Sequence, residues 1–258
     1  MAELISKEIE NGSTIIVNGY NILAKIFKAL NTNNINLATY NINLLIANGL
    51  SYLLEKKTKN GSTILILCII RKWIELALSL IQLNILNNIC DSNGNSPLIT
   101  ATMFDIEPIV IQLLNKDDID INHQNNKGLS AFIWACHNNK PDIISAFINP
   151  LIIGKHDITL INDSNHDALS WSISNNNSYL SLFLINLSEH ISDVYIKMKL
   201  ACKNKMHDVA LKLLKGVNNR FTLFNNFHNI AILIRIANSN ELLDIADELN
   251  KIQTNTYI

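Results

Sequence analysis

A chain of 258 residues that is 48% hydrophobic, with only 4 Pro and 8 Gly, is not disordered by composition. Lys plus Arg total 21 against 22 for Asp plus Glu, and the resulting net charge of −1 argues against a dedicated nucleic-acid or membrane-surface binder. The longest apolar run, Ile64 to Ile70, stops at Arg71-Lys72, far short of the ~20 residues that span a bilayer. The opening MAELISKEIENGS lacks the layout of a secretory signal, and four scattered cysteines without a C-x-x-C pair point to a reducing, cytoplasmic setting. Sequons such as Asn60-Gly61-Ser62 and Asn186-Leu187-Ser188 then carry no meaning.

The first 57 residues hold two apolar stretches that read as helical, Ile22 to Leu30 and Ile42 to Leu54, with Asn48-Gly49 as a turn inside the second. The string NGST recurs at Asn11 and Asn60, a separation that is no multiple of any later spacing. One or two degenerate repeats acting as an N-terminal helical cap is the main reading, and a separate small helical domain is the alternative.

From residue 58 onward a pattern returns about every 33 residues. An apolar anchor just inside a first helix falls at Leu65, Leu98, Phe132, Leu169, Met198 and Ile234. Eleven residues later stand Leu76, Ile109, Ile143, Leu180, Val209 and Ile245, and fifteen later Leu80, Leu113, Phe147, Leu184, Leu213 and Leu249. The offset of four between these sets is helical spacing, so both face one seam of a second helix. Thr63, Ser96, Ser130 and Asp167 sit two before an anchor as N-caps, with Pro97 at the first helical position; Ile196 and Ile232 lose the cap in the last two copies.

Three beyond each anchor the residues are small: Cys68, Ala101, Ala135, Ser172, Ala201 and Ala237, as close helix stacking requires. Seven beyond, Asp105, Asn139 and Asn176 suit a left-handed turn, whereas Lys72, Lys205 and Glu241 have no local reason to be there.

These residues resemble an ankyrin-repeat array, whose consensus runs D-x-x-G-x-T-P-L-H-x-A-A-x-x-G, then I-V-x-x-L-L, then D-V-N. Against it stand Asp91, Gly94, Ser96-Pro97-Leu98, Ala101, Ile109-Val110, Leu113-Leu114 and Asp120-Ile121-Asn122, and in the next copy Gly128, Ala135-Cys136, Ile143-Ile144 and Phe147-Ile148. The consensus His is replaced by Ile66, Ile99, Ile133 or Ser170, and most consensus glycines are missing. The resemblance implies an all-α solenoid of stacked helix-turn-helix repeats with short hairpin fingers over residues 58–250, between the 1–57 segment and a 251–258 tail. The frequent Asn and Ile match the AT-rich ankyrin proteins of large DNA viruses and some intracellular bacteria.

Candidate chemistry gives way to packing. No Gly-rich phosphate loop, G-x-S-x-G elbow or HExxH stretch occurs, and the seven histidines show no paired ligand spacing, so neither metal nor cofactor is expected. Cys68, Cys136 and Cys202 occupy small helix positions; a Cys136–His137 nucleophile pair is the weaker reading. Trp134 and Trp171 share one repeat position and read as two stacked rings between repeats, and Trp73 also reads as packing. Lys197, Lys199, Lys203, Lys205, Lys212 and Lys215 read as a solvated face, although an acidic protein could use it.

The resemblance implies a non-catalytic, monomeric module that binds another protein through finger tips and first-helix ends. By register the fingers are Ser92, Asn93, Asn95, Asn126, Lys127, Leu129, Ser164 and His166, and the helix ends Arg71, Met103, Phe104, His137, Asn138 and Asn175. Met103-Phe104 suits a contact hot spot, unless Phe104 folds back onto a neighbouring repeat. The alternatives are a host-directed effector or adaptor with a docking element in residues 1–57, or a cysteine-dependent enzyme.

Overall fold

Each repeat folds as a pair of short helices in a computed structural model that describes residues 14–84, 87–188, 191, 193–216 and 227–254. Residues 1–13 of the N-terminal segment and 255–258 of the expected tail lie outside these. Among the described residues the pairs are α1 Thr14–Asn31 and α2 Ile35–Ala47, α3 Ile64–Ile70 and α4 Ile74–Gln82, α5 Pro97–Met103 and α6 Glu107–Leu114, α7 Ala131–His137 and α8 Pro141–Phe147, α9 Ala168–Ser174 and α10 Ser178–Leu187, α11 Val194–Lys203 and α12 His207–Lys215, and α13 Phe227–Ser239 and α14 Leu243–Thr254. The last helix reaches into the expected tail and buries Ile252.

The chain divides into two compact units, Met1–Ala131 with Ser145–Lys155, and Phe132–Ile144 with His156–Ile258. Inside the first, α3 packs on α1 and α5, and α4 packs on α6. Inside the second, α11 packs on α9 and α13, and α12 packs on α10 and α14. First helices stack on first helices and second on second, which buries the repeating apolar positions. All twelve second-helix positions read from the sequence are buried, and so are all six small residues. The anchors Leu65, Leu98, Phe132, Leu169 and Met198 are buried as well. Ile234 is the exception: Leu233 takes the core place, four residues from buried Ala237 and three from buried Ile230, so helical spacing moves the anchor back by one.

Side-chain caps start the better repeats. Thr63 Oγ1 accepts from the Ile66 N–H at 3.2 Å, Ser96 Oγ from Ile99 at 3.2 Å and an Asp167 carboxylate oxygen from Ser170 at 2.8 Å. At α11 the preceding Asp193 is left-handed and gives no side-chain cap.

The turn inside each pair explains the residues that had no local reason. Two carbonyls of the first helix are satisfied by a Schellman turn: Ala101 O accepts from Ile106 N at 3.0 Å, and Thr102 O accepts from Asp105 N at 3.2 Å. The same pair of bonds recurs at Lys72, Asn139, Asn176, Lys205 and Glu241, and every one of these residues has a positive φ. The backbone geometry is set by stacking, and Lys72, Lys205 and Glu241 adopt it although a Cβ disfavours it. The first pair shares this turn, with Asn33 at φ 54 and Asn34 N donating to Ala29 O at 2.8 Å. Glycine at the three strained sites relieves about 1–2 kcal/mol each against an entropic cost of about 0.5–1 kcal/mol. A Lys72→Gly/Lys205→Gly/Glu241→Gly variant is therefore expected to melt several degrees higher by circular dichroism.

Lys197 departs from its expected place on a solvated face. Its side chain is 2% exposed, and its ammonium lies 2.8 Å from a carboxylate oxygen of Asp167, which is 8% exposed. Lys203, Lys205, Lys212 and Lys215 are exposed as expected. Farther along the second unit, His207 Nε2 lies 2.5 Å from Asp244 and Nδ1 3.2 Å from Asp208. Hydrogen bonding to Asp244, then to Asp208, raises the His207 pKa above its ordinary 6.5, while the same His207 bond lowers Asp244. The His207 contribution to stability is present in full below the unfolded value of 6.5 and disappears as pH rises through the raised folded value. His207→Gln should therefore remove a small loss of stability on going from mildly acidic to mildly alkaline pH, seen in urea titrations.

Candidate interaction surface

Fingers precede the first helices at a fixed register. In the finger Asp91–Asn95, one Asp91 carboxylate oxygen accepts from the N–H groups of Asn93 at 2.9 Å and Asn95 at 2.8 Å. Asn125 braces Lys127 and Leu129 in the same way, and Asn162 braces Ser164 and His166. Thr58 opens a fourth, accepting from the Ser62 N–H at 3.1 Å. A short polar side chain that bonds its own backbone two and four residues on fixes a loop without a partner strand. Three residues after each brace the backbone turns left-handed, at Gly61, Gly94, Gly128 and Asn165. Glycine is required twice over at Gly94, where a Cβ would lie 2.9 Å from the Asn126 nitrogen as well as at φ 76.

In the first unit the fingers also bond to one another. Asn126 N donates to Asn93 O at 3.0 Å, Asn126 Nδ2 to Ser92 O at 3.1 Å, and Asn125 Nδ2 to Asn95 Oδ1 at 2.8 Å. Ser92, Asn93, Asn126 and Lys127 stand exposed on this ladder. Asn95 and Leu129, read from the sequence as contact positions, turn inward instead and are buried. Asn95 uses both ends of its amide, on Asp91 and Asn125, and the Leu129 backbone closes its finger, its N–H donating to Asn125 Oδ1 at 3.0 Å and its carbonyl accepting from Asn125 N at 3.1 Å. At the helix ends, Met103 and Phe104 are both half-buried, and Arg71 leans back on Leu67 O at 3.5 Å.

The second unit gathers His137, His166, Trp134 and Trp171. The His137 ring centroid lies 4.1 Å from that of Trp171, edge-on, and 5.9 Å from that of Trp134; His166 lies 4.9 Å from Trp171. The tryptophans are thus bridged by an imidazole and half-exposed, whereas stacked buried rings were expected from the sequence. Trp171 Nε1 and His166 Nδ1 are occluded without a hydrogen-bond partner. Asn138 and Ser164 are exposed beside them in the chain. Asn175 is a brace: its amide donates to Cys136 O at 2.8 Å and His137 O at 3.0 Å, and Asn204 repeats the device on Ile173 O at 2.7 Å. Sequence reading missed the tryptophans as surface groups because their repeat position is usually interior. It missed the braces too, although a polar residue three before a glycine or asparagine recurs four times.

The thiols behave as packing groups. Burial pushes Cys68 up to about 12 and Cys202 up to about 11, and it raises the fully buried Cys136, with the Asp167 charge adding to the rise. Cys136 beside His137 is therefore no activated nucleophile, since the thiolate is the reactive form. Cys90 is half-buried, its Sγ 3.2 Å from His123 Nε2, which also lies 2.7 Å from Gly94 O. Burial raises this thiol as well. A thiol reagent at neutral pH is expected to modify Cys90 first, with Cys68, Cys136 and Cys202 reacting only on unfolding, as mass spectrometry of digests would show.

Paired helices stacked in register, turned by Schellman motifs and fronted by braced fingers, define a helical repeat scaffold, an α-solenoid class. The chain matches the family model of ankyrin repeats (3 copies) over residues 26–125 and 108–197, more than half of its length, and it belongs to the ankyrin-repeat family. Among solved structures it is similar to the ankyrin repeat domain of Bcl-3, a member of the IkappaB protein family, with a TM-score of 0.60 and 15% identity over 74% of this chain and 85% of that one. That likeness concerns the fold. Ankyrin repeats in general are protein-interaction modules, and no helix among the described residues is long and apolar enough to cross a membrane.

Proposed function

We propose that the chain is a non-catalytic module that binds another protein through its fingers and first-helix ends. The observation that supports this best is the finger ladder of the first unit, in which side-chain and backbone bonds hold Ser92, Asn93, Asn126 and Lys127 exposed on a fixed frame. A preordered surface loses little entropy on binding, so a few side chains suffice for affinity. Met103 and Phe104 supply apolar area in the first unit, and Trp134, His137 and Trp171 do so in the second, where half-buried tryptophan suits a hot spot. Residues 14–57 act as a degenerate first repeat that caps the array, a reading supported by the shared turn at Asn33 and by the family match from residue 26. The free thiols suit a reducing cytoplasm, and the module works as a monomer.

The test is a parallel affinity capture with wild type, Met103→Ser/Phe104→Ser, and Trp134→Ala/Trp171→Ala, each shown by circular dichroism to remain folded. A partner that binds purified wild type in a direct assay and loses at least about tenfold affinity in one variant supports the reading. Unchanged binding in both variants overturns the assignment of these surfaces.

A further inference from the structure

The ring cluster of the second unit has a hydrogen-bonding character that narrows what it can hold. Trp134 and His137 stand on α7, Trp171 on α9, and His166 in the finger ahead of α9. All four side chains are half-buried, so part of each ring is open to solvent. The edge-on imidazole of His137 separates the two indoles, which leaves ring surface on either side of it.

The nitrogens left open between α7 and α9 are donors. Asn138 Nδ2 donates to Trp134 O at 3.1 Å and lies 3.3 Å from His137 Nδ1, which therefore accepts and leaves the ring proton on Nε2. That Nε2–H and the Trp134 Nε1–H meet no acceptor among the described residues, and neither is occluded, in contrast to Trp171 Nε1 and His166 Nδ1. An indole N–H can only donate. Charge is scarce as well: from Phe132 to Asn139 and from Ser164 to Asn177 the only carboxylate or ammonium is that of Asp167, which is buried against Lys197. Lys140 and Asp163, one of each sign, stand at the borders.

We propose that this surface docks an uncharged, proline-rich segment of a partner protein in the polyproline II conformation, a refinement that rests on the protein-binding reading above. Proline rings pack on the exposed indole surfaces, and carbonyls of the segment accept from the Trp134 Nε1–H and the His137 Nε2–H. Proline brings a carbonyl without a backbone N–H, so the segment matches these donors and leaves no donor of its own unpaired. With His137 5.9 Å from Trp134 and 4.1 Å from Trp171, the indoles lie within about 10 Å of each other, and one polyproline II turn of ~9 Å spans that distance. A helix would leave both N–H groups unpaired because its carbonyls are already bonded, and an acidic or basic segment would lose hydration to a surface without counter-charge.

The experiment titrates the full chain, up to about 0.5 mM, into fluorescein-labelled decaproline and reads fluorescence anisotropy. Decaproline of D-residues and an uncharged alanine–serine decamer serve as comparison peptides. The expected result is binding of L-decaproline alone, unchanged by added salt. Trp134→Ala/Trp171→Ala is expected to lose at least about tenfold, and Trp134→Phe, which keeps a ring without the N–H, about threefold to tenfold. Met103→Ser/Phe104→Ser, in the first unit, should bind as wild type does. The proposal is overturned if L-decaproline binds no better than the comparison peptides, if both tryptophan variants bind it like wild type, or if the first-unit variant loses as much. A partner protein that needs Trp134 and Trp171 while decaproline does not bind overturns the proline chemistry alone and leaves the protein-binding reading standing.

Discussion

Replacing Lys197 with methionine is expected to cost about 3–5 kcal/mol of stability, the penalty for leaving a buried carboxylate without its cation. The Asp167 carboxylate has two tasks: it caps α9 through the Ser170 N–H and hydroxyl, at 2.8 and 2.7 Å, and it meets the Lys197 ammonium at 2.8 Å. The lysine thus reaches from α11 to the start of α9 and ties two neighbouring first helices together. Asp167→Asn keeps a capping oxygen and removes the charge, so the double variant Lys197→Met/Asp167→Asn should recover most of the loss, since a buried pair replaced as a whole is often close to neutral. Urea unfolding of all four proteins measures this. A cost below about 1 kcal/mol for Lys197→Met would mean that water reaches the carboxylate.

Leu113→Ala is the second large effect, at about 2–5 kcal/mol. Leu113 is 0% exposed in α6, which packs on α4 and α5, so truncation leaves a cavity among helices that stack too closely to collapse into it. Ile111, two residues earlier on the same helix, is 40% exposed, and Ile111→Ala is expected to stay within about 0.5 kcal/mol. A difference between the two midpoints in urea reads the stack directly; equal losses would mean that the seam does not carry the repeat.

Both predictions rest on register, and register was legible because a helix pair must present the same face at every repeat. Leu113, Leu80 and Leu213 could be assigned from spacing alone, as could the small residues at Ala101 and Ala201. The first pair was harder to see, because Ile26, Ala29 and Asn33 keep the turn positions while the spacing to Leu65 is longer than the repeat and the finger is replaced by helix. Lys72, Lys205 and Glu241 were unexplained because a left-handed turn imposed by stacked helices leaves no trace in a residue that tolerates it poorly. For the candidate surface, Ser92, Asn93 and Lys127 were readable as finger tips. Asn95, Leu129 and Asn175 were not separable from them, since the same polar or apolar type serves as contact or brace according to which neighbour it meets.

The sequence by itself therefore determined the class of fold, the helix seams, the capped starts at Thr63, Ser96 and Asp167 and the placement of three cysteines in packing positions, because each depends on contacts within about one repeat. Only the tertiary structure decided that Lys197 pairs with Asp167 and that His137 stands between two half-buried tryptophans. Those arrangements join side chains of neighbouring repeats, and their burial and charge are set by what the stack brings against them.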